Sequence, residues 1–299
     1  MAEITAALVK ELRDRTGAGM SDCKKALVET EGNIEAAIDW LRAKGIANAE
    51  KKSGNIAAEG LVSAYVEGNQ GVIVEINSQT DFVAKNEEFT TFVKNIAKLA
   101  LQVENVEDLR NLSYDADTTV KDKETSLTAT IGEKITIRRT KKVSSEGKIF
   151  SYVHAAAAPG MGKIAVVVAF SAEGNPESIG KQIAMHIAST NPKALSKESL
   201  DPSLLEREME VQKAKIAEEN NNKPAEIIEK MLTGRINKYY QDVCLLEQSF
   251  VVDPDKKVSQ VLKEAGTSIV DYAFFVLGEG IEKKEEDFAA EVAKVVSGQ

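Results

Sequence analysis

Apolar positions recur at helical spacing over the first fifty residues and again after residue 86, and form near-continuous runs at 71–76 and 164–170. Leu8, Val9 and Leu12 predict a first helix, with Thr5 as its N-cap and an end before Gly17. A second helix starts near Ser21 and carries Cys23, Ala26 and Leu27. A third starts at Asn33, buries Ile34, Ala37, Ile38 and Leu41, and stops at Gly45. The link over 15–20 leaves Met20 near the surface, Trp40 lies off the apolar stripe as an edge packing residue or a contact, and 47–54 reads as a Lys- and Ala-rich linker for which a helical course stays open. Residues 60–66 and 71–76, separated by a Gly-containing turn, predict a β-hairpin. A helix follows over 87–100, with Phe89, Phe92, Val93, Ile96, Leu99 and Ala100 on one stripe. Helices over 105–112 and 120–133 lead to a strand at 134–140 with one solvated face.

Strand, turn, strand and helix then recur: 150–154, a loop of Ala, Pro, Gly and Met, 163–170, and a helix over 177–189 bearing Ile179, Ile183, Met185 and Ile187. The repeat distance is roughly ninety residues, which predicts a duplicated α+β core. From 201 to 238 two helices are joined by a short turn ending in Pro224 and must run antiparallel. Their stripe of Leu, Val, Ile and Met exceeds what one helix pair hides, so they read as a protruding hairpin, the alternative being a pair lying flat on the domain. Residues 244–252 look like a strand, 258–265 a short helix, 268–277 a strand and 287–296 a closing helix with Phe288, Val292 and Val296. The predicted units are a three-helix domain (1–54), a first core subdomain (55–140), a second (141–279) with the hairpin at about 190–238, and a C-terminal module (280–299).

The polar connection 77–86 lies between the central strand and the strongest helix. Surface connections on rigid scaffolds are where function concentrates. Phe82, beside Asp81, is placed to probe another protein; the plainer alternative is that Asp81 caps a turn and Phe82 staples back onto it.

The 299 residues, 43% of them apolar, provide for more than one domain, and aromatics at 5% leave the core to Ala, Val, Ile and Leu. A net charge of -9 without a basic block argues against nucleic acid binding. The two distant cysteines, Cys23 and Cys244, suit a reducing cytoplasm and exclude a disulfide framework. The first residues do not read as a signal or transit peptide, and no apolar run is long enough to span a bilayer. His186, on an apolar helix face, reads as a satisfied core histidine; His154, at a strand end, is the more interesting of the two. Residues 159–163 resemble part of a phosphate loop, but Ala157 stands where its first Gly belongs and Ile164 where Ser or Thr would hold magnesium. No nucleophile elbow, dinucleotide fingerprint or metal spacing appears, so neither covalent catalysis nor a cofactor is expected.

Three stretches resemble one family in the right order: Leu8 to Arg13 with Arg15 to Leu27, Gln79 to Asn86, and Gly278 to Lys283 with Phe288 to Val292. They are similar to the signatures of bacterial translation elongation factor Ts. The resemblance implies a guanine nucleotide exchange factor acting on GDP-bound elongation factor Tu. It also implies an N-terminal domain like the ubiquitin-associated fold, a two-part core, a hairpin used in self-association and a C-terminal helix. By the same resemblance Thr80, Asp81, Phe82 and Val83 intrude near the partner's magnesium site, and Met20, Lys24 and His154 are further partner-binding candidates. The segment 155–161 departs from the shorter glycine-rich turn common in the family. The competing reading is a non-catalytic helical adaptor that binds a protein partner without releasing nucleotide.

Overall fold

The computed structural model describes residues 4–219 and 224–282, and its elements mix helix and sheet in an α+β arrangement. The expected closing helix at 287–296 and most of the hairpin turn lie outside the described residues.

The first three helices are α1 (Ala6–Thr16), α2 (Met20–Glu29) and α3 (Ile34–Lys52). The Thr5 side chain accepts from the Leu8 amide and caps α1, while Asn33 does the same for α3 through the Ala36 amide. Val9, Leu12, Cys23, Ala26, Leu27 and Ala37 form a small core, with Trp40 at its margin under the Lys44 ammonium. The expected stop at Gly45 does not occur: α3 runs on through it to Lys52. Gly45 serves close packing instead, since a Cβ there would lie 3.2 Å from the Ala129 Cβ of a helix in the next unit. The Lys- and Ala-rich stretch takes the helical course, as a continuation of α3 to Lys52.

The hairpin β1 (Glu59–Glu67) and β2 (Gln70–Ser78) pairs in register from Glu59↔Ser78 to Glu67↔Gln70. Then come α4 (Glu87–Leu99), α5 (Val106–Asn111), α6 (Val120–Ile131) and β3 (Thr136–Ser144). A capping box between Thr119 and Asp122 starts α6. The second half opens with β4 (Ile149–His154), the two-residue β5 (Met161–Gly162) and β6 (Ile164–Phe170), followed by α7 (Gly180–Thr190). The hairpin helices α8 (Pro202–Glu219) and α9 (Ala225–Val243) come next; α9 continues past the expected limit at 238. Residues 244–252 form a one-turn helix and then β7 (Ser249–Phe250), which pairs with β8 (Asp253–Lys257) as a ribbon rather than as one strand. Finally α10 (Val258–Glu264) leads to β9 (Ile269–Val276).

One sheet runs β3-β2-β1-β5 and the other β4-β6-β9. In each, the first two strands in sequence are antiparallel neighbours and the third returns beside the second. The sheets pack face to face through Val62, Ile73, Val143, Ala165, Val167, Ala169 and Ala273. Phe89, Phe92, Val93 and Ile96 of α4 cover the outer face of the first sheet, and Ile183, Ala184 and Ile187 of α7 cover that of the second. With both faces covered, β2 and β6 need apolar residues at successive positions, which explains their unbroken runs. Of the pair α8 and α9 only Ile216 is buried among the described residues. Its base is held by Ala194, Leu200 and Cys244. Met185, expected on the buried stripe of α7, is 41% exposed.

Two buried polar groups are satisfied inside this frame. His186 sits between Gln248 Oε1, 2.9 Å from its Nε2, and the Val251 amide, which donates to its Nδ1 at 3.2 Å. Burial pushes its pKa down and the Gln248 bond opposes this only partly, so it is a neutral core histidine. Glu75, in the middle of β2, is completely buried. Its Oε1 accepts from Arg138 Nη1 at 2.9 Å, Asn77 Nδ2 at 3.0 Å and the Gly278 amide at 2.8 Å, while its Oε2 accepts from Arg139 Nε. Neighbouring strand residues normally point to opposite faces. Here Glu75 faces Arg139 and Ile76 faces Ile137, so Arg138 is the extra residue of a β-bulge, and both guanidinium groups reach one carboxylate.

Desolvation alone would raise the Glu75 pKa, but the Gly278 amide, Arg139 and Asn77 together hold it below the usual carboxylate range. A carboxyl depressed in the folded state adds stability above its unfolded pKa, and that stability is lost as pH falls through the folded value. Glu75→Gln is therefore expected to lower unfolding free energy at neutral pH by about 3 kcal/mol and to show a shallower loss on acidification below the ordinary glutamate pKa than the parent. Urea unfolding between pH 3 and 7 measures both. By contrast, removing the exposed Arg15–Glu35 pair should change stability by less than about 1 kcal/mol.

Candidate partner-binding site

The connection after β2 is pinned on both flanks. The Glu133 carboxylate takes the Thr80 amide at 2.9 Å and the Thr80 hydroxyl at 2.7 Å, and the Ser78 hydroxyl donates to the Thr80 carbonyl at 2.9 Å. Gln79 Oε1 accepts from the Lys134 amide at 2.8 Å. On the other side the Asn86 side chain caps α4 through the Phe89 amide at 3.0 Å. Between these anchors Asp81–Lys85 forms a single 3-10 turn. Successive side chains of such a turn diverge by about 120°. Val83 is turned into the core beneath α4 and is 4% exposed, whereas Phe82 is turned out and is 76% exposed. Phe82 is thus not a staple. The Asp81 side chain is exposed and makes no hydrogen bond or ion pair with another described residue, so it does not cap the turn. Val83, grouped with the candidate contact residues, anchors the turn from below.

The other candidates are exposed as well. Met20, at the start of α2, is 47% exposed, and Lys24 lies one turn on, also exposed. A Cβ on Gly17 would lie 3.7 Å from Glu88 Oε1, so the loop leading to Met20 sits beside the first turn of α4, next to the Phe82 turn. The three-helix unit is held there by more than one contact: Arg42 meets Asp122 at 3.5 Å, and Lys134 Nζ donates to the Ser53 carbonyl at 2.6 Å and the Asn55 carbonyl at 2.9 Å.

His154 is exposed at the end of β4, its Nδ1 3.1 Å from the Tyr152 hydroxyl. It faces Ile164, which faces Val276 of β9, and the Gly278 that follows abuts the Ala58 carbonyl just before β1. Glu59, the first residue of β1, pairs with Ser78. His154, the Gly278 corner and the Phe82 turn therefore occupy the same end of the sandwich, with Glu75 buried beneath. The segment 155–160 does not lead into a helix, as a phosphate loop would; it turns back into β5, with the Gly160 carbonyl accepting from the Ala64 amide at 3.0 Å.

The supporting residues Glu75, Arg138, Arg139 and Glu133 escaped the sequence reading. One signal was present: Glu75 interrupts an apolar run whose neighbours are all core residues. Nothing local pairs Glu133 with Thr80, 53 positions away. Among the described residues no group of three or more His, Cys, Asp or Glu side chains is arranged to hold a metal, and no helix is long and apolar enough to cross a membrane. Both cysteines are buried thiols whose pKa desolvation raises.

The family model described as elongation factor TS matches residues 79–279. Elongation factor Ts of Ruegeria sp. (strain TM1040) is 55% identical over 298 residues, covering 99% of each chain. That of Rhizorhabdus wittichii is 53% identical over 309 aligned positions, covering the whole of both chains. That of Paracoccus denitrificans is 52% identical over 296 residues and covers 99% of each. A match of this extent, spanning the pinned turn, both sheets and the hairpin, leaves one assignment: the chain belongs to the elongation factor Ts family.

Proposed function

We propose that this chain is a guanine nucleotide exchange factor that binds GDP-bound elongation factor Tu and promotes GDP release by disturbing its magnesium and phosphate site. The observation that carries the reading is Phe82, an aromatic side chain held three-quarters exposed on a turn that is locked on both flanks. GDP on a GTPase is held by the phosphate loop and a bridging magnesium ion. An exchange factor needs only to bind the nucleotide-free partner more tightly than the GDP-bound one; factor and GDP then weaken each other equally. A ten-thousandfold weakening needs about 5.5 kcal/mol of differential binding. Phe82, entering the partner, supplies part of it, and Asp81 adds a charge at the same point. Val83 and Thr80 fix the turn. Release of fluorescent GDP from loaded elongation factor Tu on adding the chain tests the reading; binding without release would make the chain an adaptor instead.

The division into a docking unit (1–54), two core subdomains (55–140 and 141–279) and a C-terminal module belongs to the same proposal. The shared strand order of the two sheets supports a duplicated core, and the tight three-helix cluster supports a fold like the ubiquitin-associated domain. In this reading Met20 and Lys24 dock the partner, His154 contacts it at the far side of the same end, and the hairpin serves self-association through Leu204, Val211 and Ile227, which are 39%, 41% and 45% exposed.

Three outcomes follow. Phe82→Ala lowers the exchange rate about ten- to a hundredfold, the worth of one buried aromatic ring, while its melting temperature stays within about 2 °C of the parent. A destabilised but fully active variant contradicts the role. Met20→Ala with Lys24→Ala raises the concentration for half-maximal exchange and leaves the maximal rate unchanged; a fall in maximal rate alone would show that these residues act on nucleotide release and not on docking. Replacing 203–242 by a short linker lowers the number of chains per particle, measured by light scattering against the variant's own chain mass, and spares exchange, whereas an unchanged number would remove the hairpin from assembly.

A further inference from the structure

The second sheet ends in an unprotected edge. β4 pairs with β6 and with no other described strand. The Phe170 amide donates to the Lys148 carbonyl at 2.9 Å, and the His154 carbonyl accepts from the Lys163 amide at 3.2 Å. Backbone groups of an antiparallel strand alternate between facing the neighbour and facing away. Phe150, Tyr152 and His154 therefore turn theirs toward β6, and Ile149, Ser151 and Val153 turn theirs outward. Edges of this kind are commonly blunted by proline, a charge or a covering loop. The run Ile149–His154 contains no proline, lysine or carboxylate.

Along the edge lies an open depression of about 420 Å³. Ser151 and Val153 form its strand side, Ala156, Pro159 and Gly160 its far wall, and Lys181 of α7 also lines it. The far wall is fixed, because the Gly160 carbonyl accepts from both the Ala64 amide at 3.0 Å and the Ser63 hydroxyl at 3.1 Å. Lys181 is exposed and forms no salt bridge with another described residue.

Outward donors and acceptors recurring every second residue match the repeat of an extended polypeptide, about 6.6 Å. A free edge of this form recruits a strand, the backbone supplying affinity and flanking pockets supplying selectivity. A second copy of β4 is a poor occupant, since it brings no carboxylate to Lys181. We propose that the β4 edge receives an extended segment of the GTPase partner as an added strand, with an acidic side chain of that segment facing Lys181. The proposal rests on the exchange reading for the source of the segment.

The test is amide hydrogen exchange at single-residue resolution on the chain alone and in complex with nucleotide-free elongation factor Tu, with release of fluorescent GDP from loaded elongation factor Tu measured in parallel with the same chain. The Ser151 and Val153 amides are expected to exchange fast in the free chain and at least tenfold slower in the complex. The Phe150 and Tyr152 amides should be slow in both. Ser151→Pro deletes one outward donor without touching the β6 ladder, so it should raise the dissociation constant at least tenfold at unchanged melting temperature, while Ser151→Ala should not. Lys181→Glu should also weaken binding. A complex that forms and releases GDP with Ser151 and Val153 exchanging as in the free chain overturns the docking while leaving the exchange reading intact. Slowing that grows with the concentration of the chain alone identifies a second copy as the occupant and also overturns it. Absence of both complex and GDP release rejects the two readings together.

Discussion

The molecule depends on one buried charge. Taking a carboxylate out of water costs several kcal/mol unless donors replace the lost solvent. Glu75 finds four: two arginines from β3, an asparagine two positions along its own strand and the Gly278 backbone amide. These partners come from three distant parts of the chain, so satisfying Glu75 requires that β2, β3 and the corner after β9 arrive together. The arginines extend the tie outward: Arg139 Nη2 donates to the Val276 carbonyl at 2.9 Å and Arg138 Nη2 to the Glu279 carbonyl at 2.6 Å. Arg139 also lies over the Phe275 ring, 4.2 Å from its centroid. Gly278 is required there, since its φ of 72° is left-handed and a Cβ would sit 2.4 Å from the Ala58 carbonyl.

On this foundation the exposed turn needs little machinery of its own. Its flanks are hydrogen-bonded and Val83 is embedded, so Phe82 is offered to solvent from a fixed backbone. An exposed ring costs the free protein little and supplies its transfer energy only when a partner covers it. That division of labour, stability from buried groups and function from one uncovered group, is the physical form that an exchange reading takes here.

Much of the architecture was legible because local chemistry and burial agree. Thr5 and Asn33 cap their helices, and the unbroken apolar runs of β2 and β6 correspond to strands covered on both faces. The site was legible as a polar interruption between the strongest strand and the strongest helix. What escaped depends on residues distant in sequence. Gly45 looked like a helix stop because glycine is a poor helix former, yet Ala129 needs the space its missing Cβ leaves. Strict alternation would put Arg138 and Arg139 on opposite faces of the strand, and only the bulge brings both to Glu75. Met185 fits the apolar stripe of α7 by spacing, yet 41% of it stays exposed.

The uninterrupted α3 has a consequence for binding thermodynamics. Two contact surfaces joined by a slack tether lose the freedom of that tether on engaging one partner, and their joint affinity depends on an effective concentration set by its length. Here the helix passes straight from the small cluster onto α6 and is fastened by Arg42, Lys52 and Lys134. In the proposed complex Met20 and Phe82 would meet the partner as two teeth of one comb, with the ordering entropy already spent during folding. A partner that recognises one must accept the position of the other, which turns the spacing between them into a measure of selectivity.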